Sequence, residues 1–145
     1  VSLVSNSEEN QPITWPVRVY YEDTDAGGVV YYANYLKFME RARTEWLRGL
    51  GFDQERIRFE LNRVFVVRHA SVDYRAPARL DDLLDVKTTL SRLGGASLEF
   101  SHQVIRRSDA ALCCSGLVKV ASVAADSLRP KPLPEQLLAE IADVL

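Results

Sequence analysis

Between about Tyr31 and Leu50 apolar residues recur every three or four positions: Leu36, Met39, Ala42, Trp46 and Leu50, with Tyr35 and Phe38 widening the stripe. This is the one long amphipathic helix that the chain offers, and Gly51 stops it. At 1.5 Å per residue it spans roughly 27 to 30 Å, a length that one sheet can wrap. The opposite side carries Lys37, Arg41, Thr44, Glu45 and Arg48, with Arg41 and Glu45 four apart. That side is expected to face solvent or a partner subunit. The set Arg41, Arg43 and Arg48 is read with it, rather than as a phosphate cradle.

On either side of this helix the period changes to two. Val17, Val19 and Tyr21 share one face of Val17-Arg18-Val19-Tyr20-Tyr21-Glu22, the pattern of a half-buried strand. A connection from Asp53 to Leu61 holds one more helical turn. Then Ala70, Val72, Tyr74 and Ala76 oppose Ser71, Asp73 and Arg75, and Leu84, Val86, Thr88 and Leu90 oppose Asp85, Lys87, Thr89 and Ser91. Past the Gly94-Gly95 turn, Leu98 and Phe100 oppose Glu99 and Ser101, and Leu112, Cys114, Gly116, Val118 and Val120 line a last long strand. Pro77, Pro130, Pro132 and Pro134 lie outside these runs, as strands require. The link Arg129 to Pro134 leads into a short helix from Glu135 to Leu145. Strand, long helix and four strands in that order predict an α+β fold, an antiparallel sheet on a single central helix. Residues 1–14 read as a flexible N-terminal segment and 15–145 as a single domain.

At 145 residues and 47% hydrophobic, the chain is long enough for one domain with a full core and too short for two ordinary ones. Its 18 Lys+Arg against 20 Asp+Glu give a formal charge of -2 and no electrostatic case for nucleic acid or an anionic membrane, so any basic site must be local. Residues 1–14 lack the charged start and apolar run of a signal peptide, and no stretch is long enough to span a bilayer, so a cytoplasmic protein is expected. Cys113 and Cys114 are adjacent in a strand, where neighbouring side chains point to opposite faces; both read as buried and reduced.

The first strand runs into Asp23-Thr24-Asp25-Ala26-Gly27-Gly28, where paired glycines permit a sharp turn. Taken alone, Asp23-Thr24-Asp25 is turn chemistry, because Asp side chains bond backbone two residues ahead. Nothing else supplies ligands at a useful spacing for a metal, and none is expected. His69 and His102 lie on different strands with no Cys or His partner, and each is given a structural or surface role. No Gly-Lys-Ser/Thr loop and no Gly-x-Ser-x-Gly elbow is present, which removes P-loop and serine-hydrolase readings.

The run from Val19 through Asp25-Ala26-Gly27-Gly28-Val29-Val30-Tyr31-Tyr32-Ala33-Asn34 to Tyr35 resembles the signature of the hydroxybenzoyl-CoA thioesterase family. It is most similar to the YbgC branch, acyl-CoA thioesterases associated with the Tol-Pal envelope system of Gram-negative bacteria. The likeness continues through Glu40-Arg41-Ala42-Arg43-Thr44-Glu45, Phe65-Val66-Val67-Arg68, Tyr74 to Asp82 and Arg129 to Pro134. It implies the hotdog fold, a curved antiparallel sheet wrapped around one long helix, in dimers that build sites at the subunit boundary and commonly pair into tetramers. It implies hydrolysis of short-chain or aromatic acyl-CoA to free acid and CoA, the CoA being part of the substrate and no cofactor being needed.

By position the resemblance makes Asp25 the catalytic carboxylate, nucleophile or general base, and Tyr32 the residue whose backbone N–H polarises the carbonyl. Gly28 and Tyr31 fall beside them as substrate-binding residues, and Phe65, Val66 and Val67 map onto the acyl pocket. Relatives often carry His where this chain has Tyr32; the polarising group being main chain, the exchange is expected to be harmless. Arg92, next to the Gly94-Gly95 turn, is the candidate for the CoA phosphates. A second expectation is non-catalytic: a scaffold that docks acyl carrier protein or phospholipid-synthesis enzymes, peripheral to the inner membrane.

Overall fold

In the computed structural model, residues 12–144 are described. Strand β1 (Ile13–Arg18) is followed by helix α1 (Asn34–Gly49), strands β2 (Arg63–Tyr74), β3 (Leu83–Leu93), β4 (Ser97–Arg106) and β5 (Ala111–Ala124), and helix α2 (Glu135–Val144). Of the segment expected to be flexible, residues 1–11 lie outside the described residues, while Ile13 and Thr14 already belong to β1. The five strands form one sheet in the order β1-β3-β4-β5-β2, every neighbouring pair antiparallel. Proline is admissible in β1 at Pro16 because that strand is an edge. The α+β arrangement of a sheet on one central helix is therefore as expected.

Alternation decides which side of the sheet meets the helix. Leu84, Val86 and Leu90 of β3, Leu98, Phe100 and Val104 of β4 and Val118 and Val120 of β5 point inward and are buried. Phe38, Met39, Ala42 and Trp46 of α1 join them in one core cluster. Each large side chain so buried contributes about 1.5–3 kcal/mol. Trp46 meets Phe100 edge-on with ring centroids 5.2 Å apart. A Cβ on Gly116 would lie 2.8 Å from the Met39 sulfur, so glycine is what lets α1 lie close on β5. Register shifts at Val67/His69, Leu90/Arg92 and Val104/Ile105 bend the strands they interrupt, the local means by which the sheet curls around α1.

The structure corrects the sequence reading at four places. Tyr21 leaves the face of Val17 and Val19 and is 83% exposed, because Tyr21–Asp23 form a 3-10 turn instead of continuing the strand. Helix α1 begins at Asn34, so Tyr31 and Tyr32 lie in the turn that leads into it. Arg43, assigned to the solvated side, is buried among the core residues of α1. Glu45 pairs with Arg48 at 3.2 Å, while Arg41 lies over the Phe38 ring. The turn expected between Asp53 and Leu61 is present, wound as a π-helix over Arg56–Glu60.

Candidate active site at the start of the central helix

The segment between β1 and α1 is a small hairpin tied down by Asp23. This carboxylate is 4% exposed. Its Oδ2 accepts the Tyr20 N–H at 2.8 Å and its Oδ1 accepts the Asn34 side-chain amide at 3.0 Å. The Asp23 carbonyl also accepts the Tyr31 N–H at 2.9 Å. One residue thus joins the end of the first strand to the first residue of α1. Beyond it Thr24 bridges Val30, and the Asp25 N–H donates to the Val29 carbonyl at 2.9 Å. Val30 donates to the Ala78 carbonyl at 2.8 Å and Val29 bridges Arg79, so the hairpin is docked on the segment after β2.

Asp25 stands at the tip. Its carbonyl accepts the Gly28 N–H at 3.0 Å, and its Oδ1 accepts the Gly27 N–H at 2.8 Å, the Asx geometry of an aspartate opening a turn. Gly28 closes the turn at φ 78°, a left-handed conformation that favours glycine. The carboxylate is exposed in the single chain, and its second oxygen has no partner among the described residues. Asp25 lies close enough to Tyr31 to act on it: the Tyr31 hydroxyl is held above its ordinary range, first by its hydrogen bond with the Tyr32 side chain and in smaller part by the Asp25 charge.

The first turn of α1 is tightened. Asn34 donates to the Tyr31 carbonyl at 2.8 Å, Tyr35 to that of Tyr32 at 3.4 Å and Leu36 to that of Ala33 at 3.2 Å. The Tyr32 and Ala33 N–H groups, which precede this ladder, have no acceptor among the described residues. Such unpaired amides at the positive end of a helix dipole attract developing negative charge. Tyr74 fixes the turn from β2 by donating its hydroxyl to the Tyr32 carbonyl at 3.1 Å. Tyr31 and Tyr32 stack at a tilt with centroids 4.8 Å apart, and Tyr35 receives the Ala78 N–H on its hydroxyl at 3.1 Å.

Two cavities flank α1. The smaller, about 240 Å³, opens at the helix start and is lined by Val30, Tyr32, Tyr35, Tyr74 and the Arg75–Pro77 segment. The larger, about 410 Å³, lies further along α1, between Glu40, Arg43, Thr44 and Leu47 of the helix, Gln54, and the sheet residues Phe65, Val67, Phe100 and Val120. Phe65 and Val67 thus share a cavity, while Val66, between them, is not among the residues that line it. Gly28 and Tyr31 line neither cavity. Arg92 is exposed at the β3 bulge, beside Glu99 of β4.

A polar group that the sequence reading missed as such stands inside. Arg43 is 7% exposed, and its Nη1–H donates to His102 Nε2 at 3.2 Å. A guanidinium only donates, so Nε2 is an acceptor and the proton of the neutral ring is on Nδ1, 2.9 Å from the Thr88 hydroxyl. Burial first, and the Arg43 charge second, push the His102 pKa down to about 3. His102 therefore has the structural role expected of it, and His69 is exposed. Cys113 and Cys114 are both free and buried, and burial holds the Cys114 thiol up at about 12, which makes it inert.

An antiparallel sheet wrapped on one long helix is the arrangement of the hotdog class. Residues 19–141 match the family model of the thioesterase-like superfamily. The chain is 48% identical over 128 residues to the acyl-CoA thioester hydrolase YbgC of Escherichia coli O6:H1, covering 87% of this chain and 92% of that one. Among solved structures it is similar to a probable thioesterase from Bartonella henselae, with TM-score 0.80 and 35% identity over 85% of this chain and 99% of the other. It is also similar to a 1,4-dihydroxy-2-naphthoyl-CoA thioesterase from Synechocystis, with TM-score 0.83 and 26% identity over 91% and 96%. The chain belongs to the thioesterase-like superfamily and, within it, to the YbgC family of acyl-CoA thioester hydrolases.

Proposed function

We propose that this protein hydrolyses short-chain or aromatic acyl-CoA thioesters to free acid and CoA at the start of α1. The observation that carries this reading is the pairing of an uncommitted carboxylate oxygen on Asp25 with unpaired N–H groups at Tyr32 and Ala33, within a hairpin that Asp23 ties to the helix. Attack on a thioester carbonyl puts negative charge on its oxygen, and one well-aimed amide donor there is worth ~3–4 kcal/mol in the transition state. Asp25 then acts on the carbonyl carbon from the other side. It either adds directly, giving a mixed anhydride that water cleaves, or takes a proton from the attacking water. In both routes CoA leaves as the thiol, and no metal or bound cofactor takes part.

An exposed catalytic carboxylate needs shielding, and the edge of the sheet supports a second copy as its source. β2 is a 12-residue edge strand without proline, with exposed Val66, Val67 and Tyr74, an edge that a stable monomer would ordinarily blunt. Antiparallel pairing of two such strands about their middle would bring the Phe65–Val67 end of one copy beside the Tyr74 end of the other. That joins the larger cavity of one subunit to the helix start of its neighbour, and a homodimer, alone or paired into a tetramer, is the assembly we propose. Among the described residues no helix is long and apolar enough to cross a membrane. Membership of the YbgC family supports a cytoplasmic protein of the Tol-Pal branch, peripheral to the inner membrane.

The test is thiol release from a panel of acyl-CoA substrates by wild type and Asp25→Asn. Loss of the carboxylate is expected to lower kcat by ~10²–10⁴. A scaffold that only docks acyl carrier protein would show the same negligible release from both proteins, and that result would sink the reading.

A further inference from the structure

The larger cavity contains a charge that the hydrolysis chemistry does not use. Arg43 reaches it from the buried side of α1, and among the described residues it makes no ion pair with any carboxylate. Its recorded hydrogen bond is to neutral His102, which takes one of five N–H donors. A buried guanidinium that cannot lose its proton, and that only the exposed Glu40 carboxylate offsets without forming an ion pair, is expensive to keep. The chain nonetheless holds it rigidly, through His102 to the Thr88 hydroxyl directly across the β3–β4 register. A second polar group nearby is also unspent: the Ser122 hydroxyl is wholly buried without a partner among the described residues, and Ser122 stands opposite Phe65 on the same face of the sheet.

Resting on the thioesterase reading, we propose that this cavity receives the far end of an acyl chain that terminates in a carboxylate, with Arg43 as its partner. The substrate class is then the CoA thioester of a dicarboxylic acid, esterified at one end. The walls fit: Leu47, Phe65, Val67, Phe100 and Val120 suit a methylene chain, and about 410 Å³ lies in the range of small-molecule sites. A carboxylate matches the planar guanidinium with two parallel hydrogen bonds. A phosphate does not fit as well, because Arg43 is the one cation lining the cavity among the described residues and a dianion would remain half-compensated. Glu40 on the rim carries the opposing charge. It is exposed and screened by water, whereas Arg43 would act at hydrogen-bond distance in a medium of lower dielectric, where the same charge separation counts several times more.

The experiment compares CoA thioesters of dicarboxylic acids, from succinyl to adipyl, with neutral acyl-CoAs of equal chain length, reading kcat/KM for each pair. Wild type is expected to favour at least one carboxylated member by ~10–100-fold, the worth of a charge-assisted hydrogen-bonded pair. Arg43→Met should collapse that ratio to about one, and Arg43→Lys should keep part of it. A merely structural Arg43 would lower both members of each pair together and leave the ratio alone. The same pairs made as non-hydrolysable CoA thioethers, titrated by calorimetry, report the site without any turnover. Preserved discrimination in binding with no hydrolysis would overturn the enzymatic reading and leave this one standing. Equal affinity of wild type for carboxylated and neutral thioethers, whether because a second subunit fills the cavity or because Arg43 stays dry, would overturn it.

Discussion

Asp23 and Asp25 are two residues apart and chemically identical, yet the fold treats them in opposite ways. Asp23 is buried, and both its oxygens are engaged, by Tyr20 and by Asn34. Asp25 is exposed, with one oxygen engaged locally by Gly27 and the other without a partner among the described residues. The difference teaches that reactivity is available only where hydrogen bonding has been left incomplete, and that the incomplete group depends on a neighbour whose bonding is complete. The same substitution should therefore read out differently at the two positions. In Asp25→Asn the amide oxygen still accepts the Gly27 N–H, so the turn persists while the charge is lost. The expected result is a fall in kcat of ~10²–10⁴ with a melting temperature close to that of wild type. A large drop in melting temperature would break the contrast, by showing that Asp25 is structural as well.

Asp23→Asn should do the reverse. Asparagine has one acceptor oxygen where Asp23 uses two, so it can keep the Tyr20 N–H only if the Asn34 amide flips to present its oxygen to the new NH₂. Exchanging two bonds to a buried carboxylate for neutral ones costs ~2–3 kcal/mol. For a chain of this size that corresponds to a melting temperature lower by about 10 °C, measured by calorimetry. Any activity lost is expected to follow the loosened hairpin, and to be recovered in part by lowering the assay temperature.

His102 extends the contrast to a group that titrates. It is 1% exposed and neutral, wedged between Arg43 and Thr88. Its folded-state pKa of about 3 lies below its ordinary value of 6.5, so the unfolded chain takes up a proton that the native chain refuses as the pH falls between those values. Stability from this source is complete above pH 6.5 and is lost downward at about 1.4 kcal/mol per pH unit. Denaturant unfolding measured from pH 7 to pH 4 should show His102→Gln with a shallower acid limb than wild type, by close to one proton. Parallel limbs would mean that His102 is protonated in the native state and that the neutral tautomer assigned here is wrong.

Much of this was legible in the residues. Leu84, Val86, Thr88 and Leu90 alternate in sequence, and all four are buried; the stripe Phe38, Met39, Ala42 and Trp46 is the buried face of α1. The sharp turn at Gly27-Gly28 and the turn bond from an aspartate to backbone two residues ahead also match what is seen, the latter at Asp25. The interior position of Arg43 was not read, although a signal existed. Arg43 is four residues after Met39 and three before Trp46, hence on the core stripe, and His102 takes an inward slot between Phe100 and Val104. Charge masked the geometry, because an arginine among Arg41 and Arg48 is ordinarily solvated. The exposure of Tyr21 had a different cause: Asp23 caps a 3-10 turn through the Tyr20 N–H three residues back and is held there by Asn34, and neither bond shows in an alternation of apolar residues. Strand order was equally invisible, since nothing local to β2 says that it will pair with β5 rather than β3.

The smallest expected effect concerns Tyr32, the position to which the family resemblance gives His. The residue is 60% exposed, and its side chain shares a hydrogen bond with Tyr31 and meets the Tyr31 ring at 4.8 Å and the Tyr74 ring at 6.1 Å. Losing them costs about 0.5–1.5 kcal/mol. The group proposed to polarise the carbonyl is the main-chain N–H, which Tyr32→His keeps, and the Tyr74 hydroxyl would still find the Tyr32 carbonyl. The variant is therefore expected to hold kcat/KM within about threefold of wild type, with the same pH–rate profile. If the side chain took part, an imidazole would add a new limb between about pH 6 and 7, because histidine titrates there and tyrosine does not. A tenfold gain in rate together with such a limb would transfer the polarising role from the backbone to the side chain, and the contrast between an incomplete tip and a complete clamp would need a third residue.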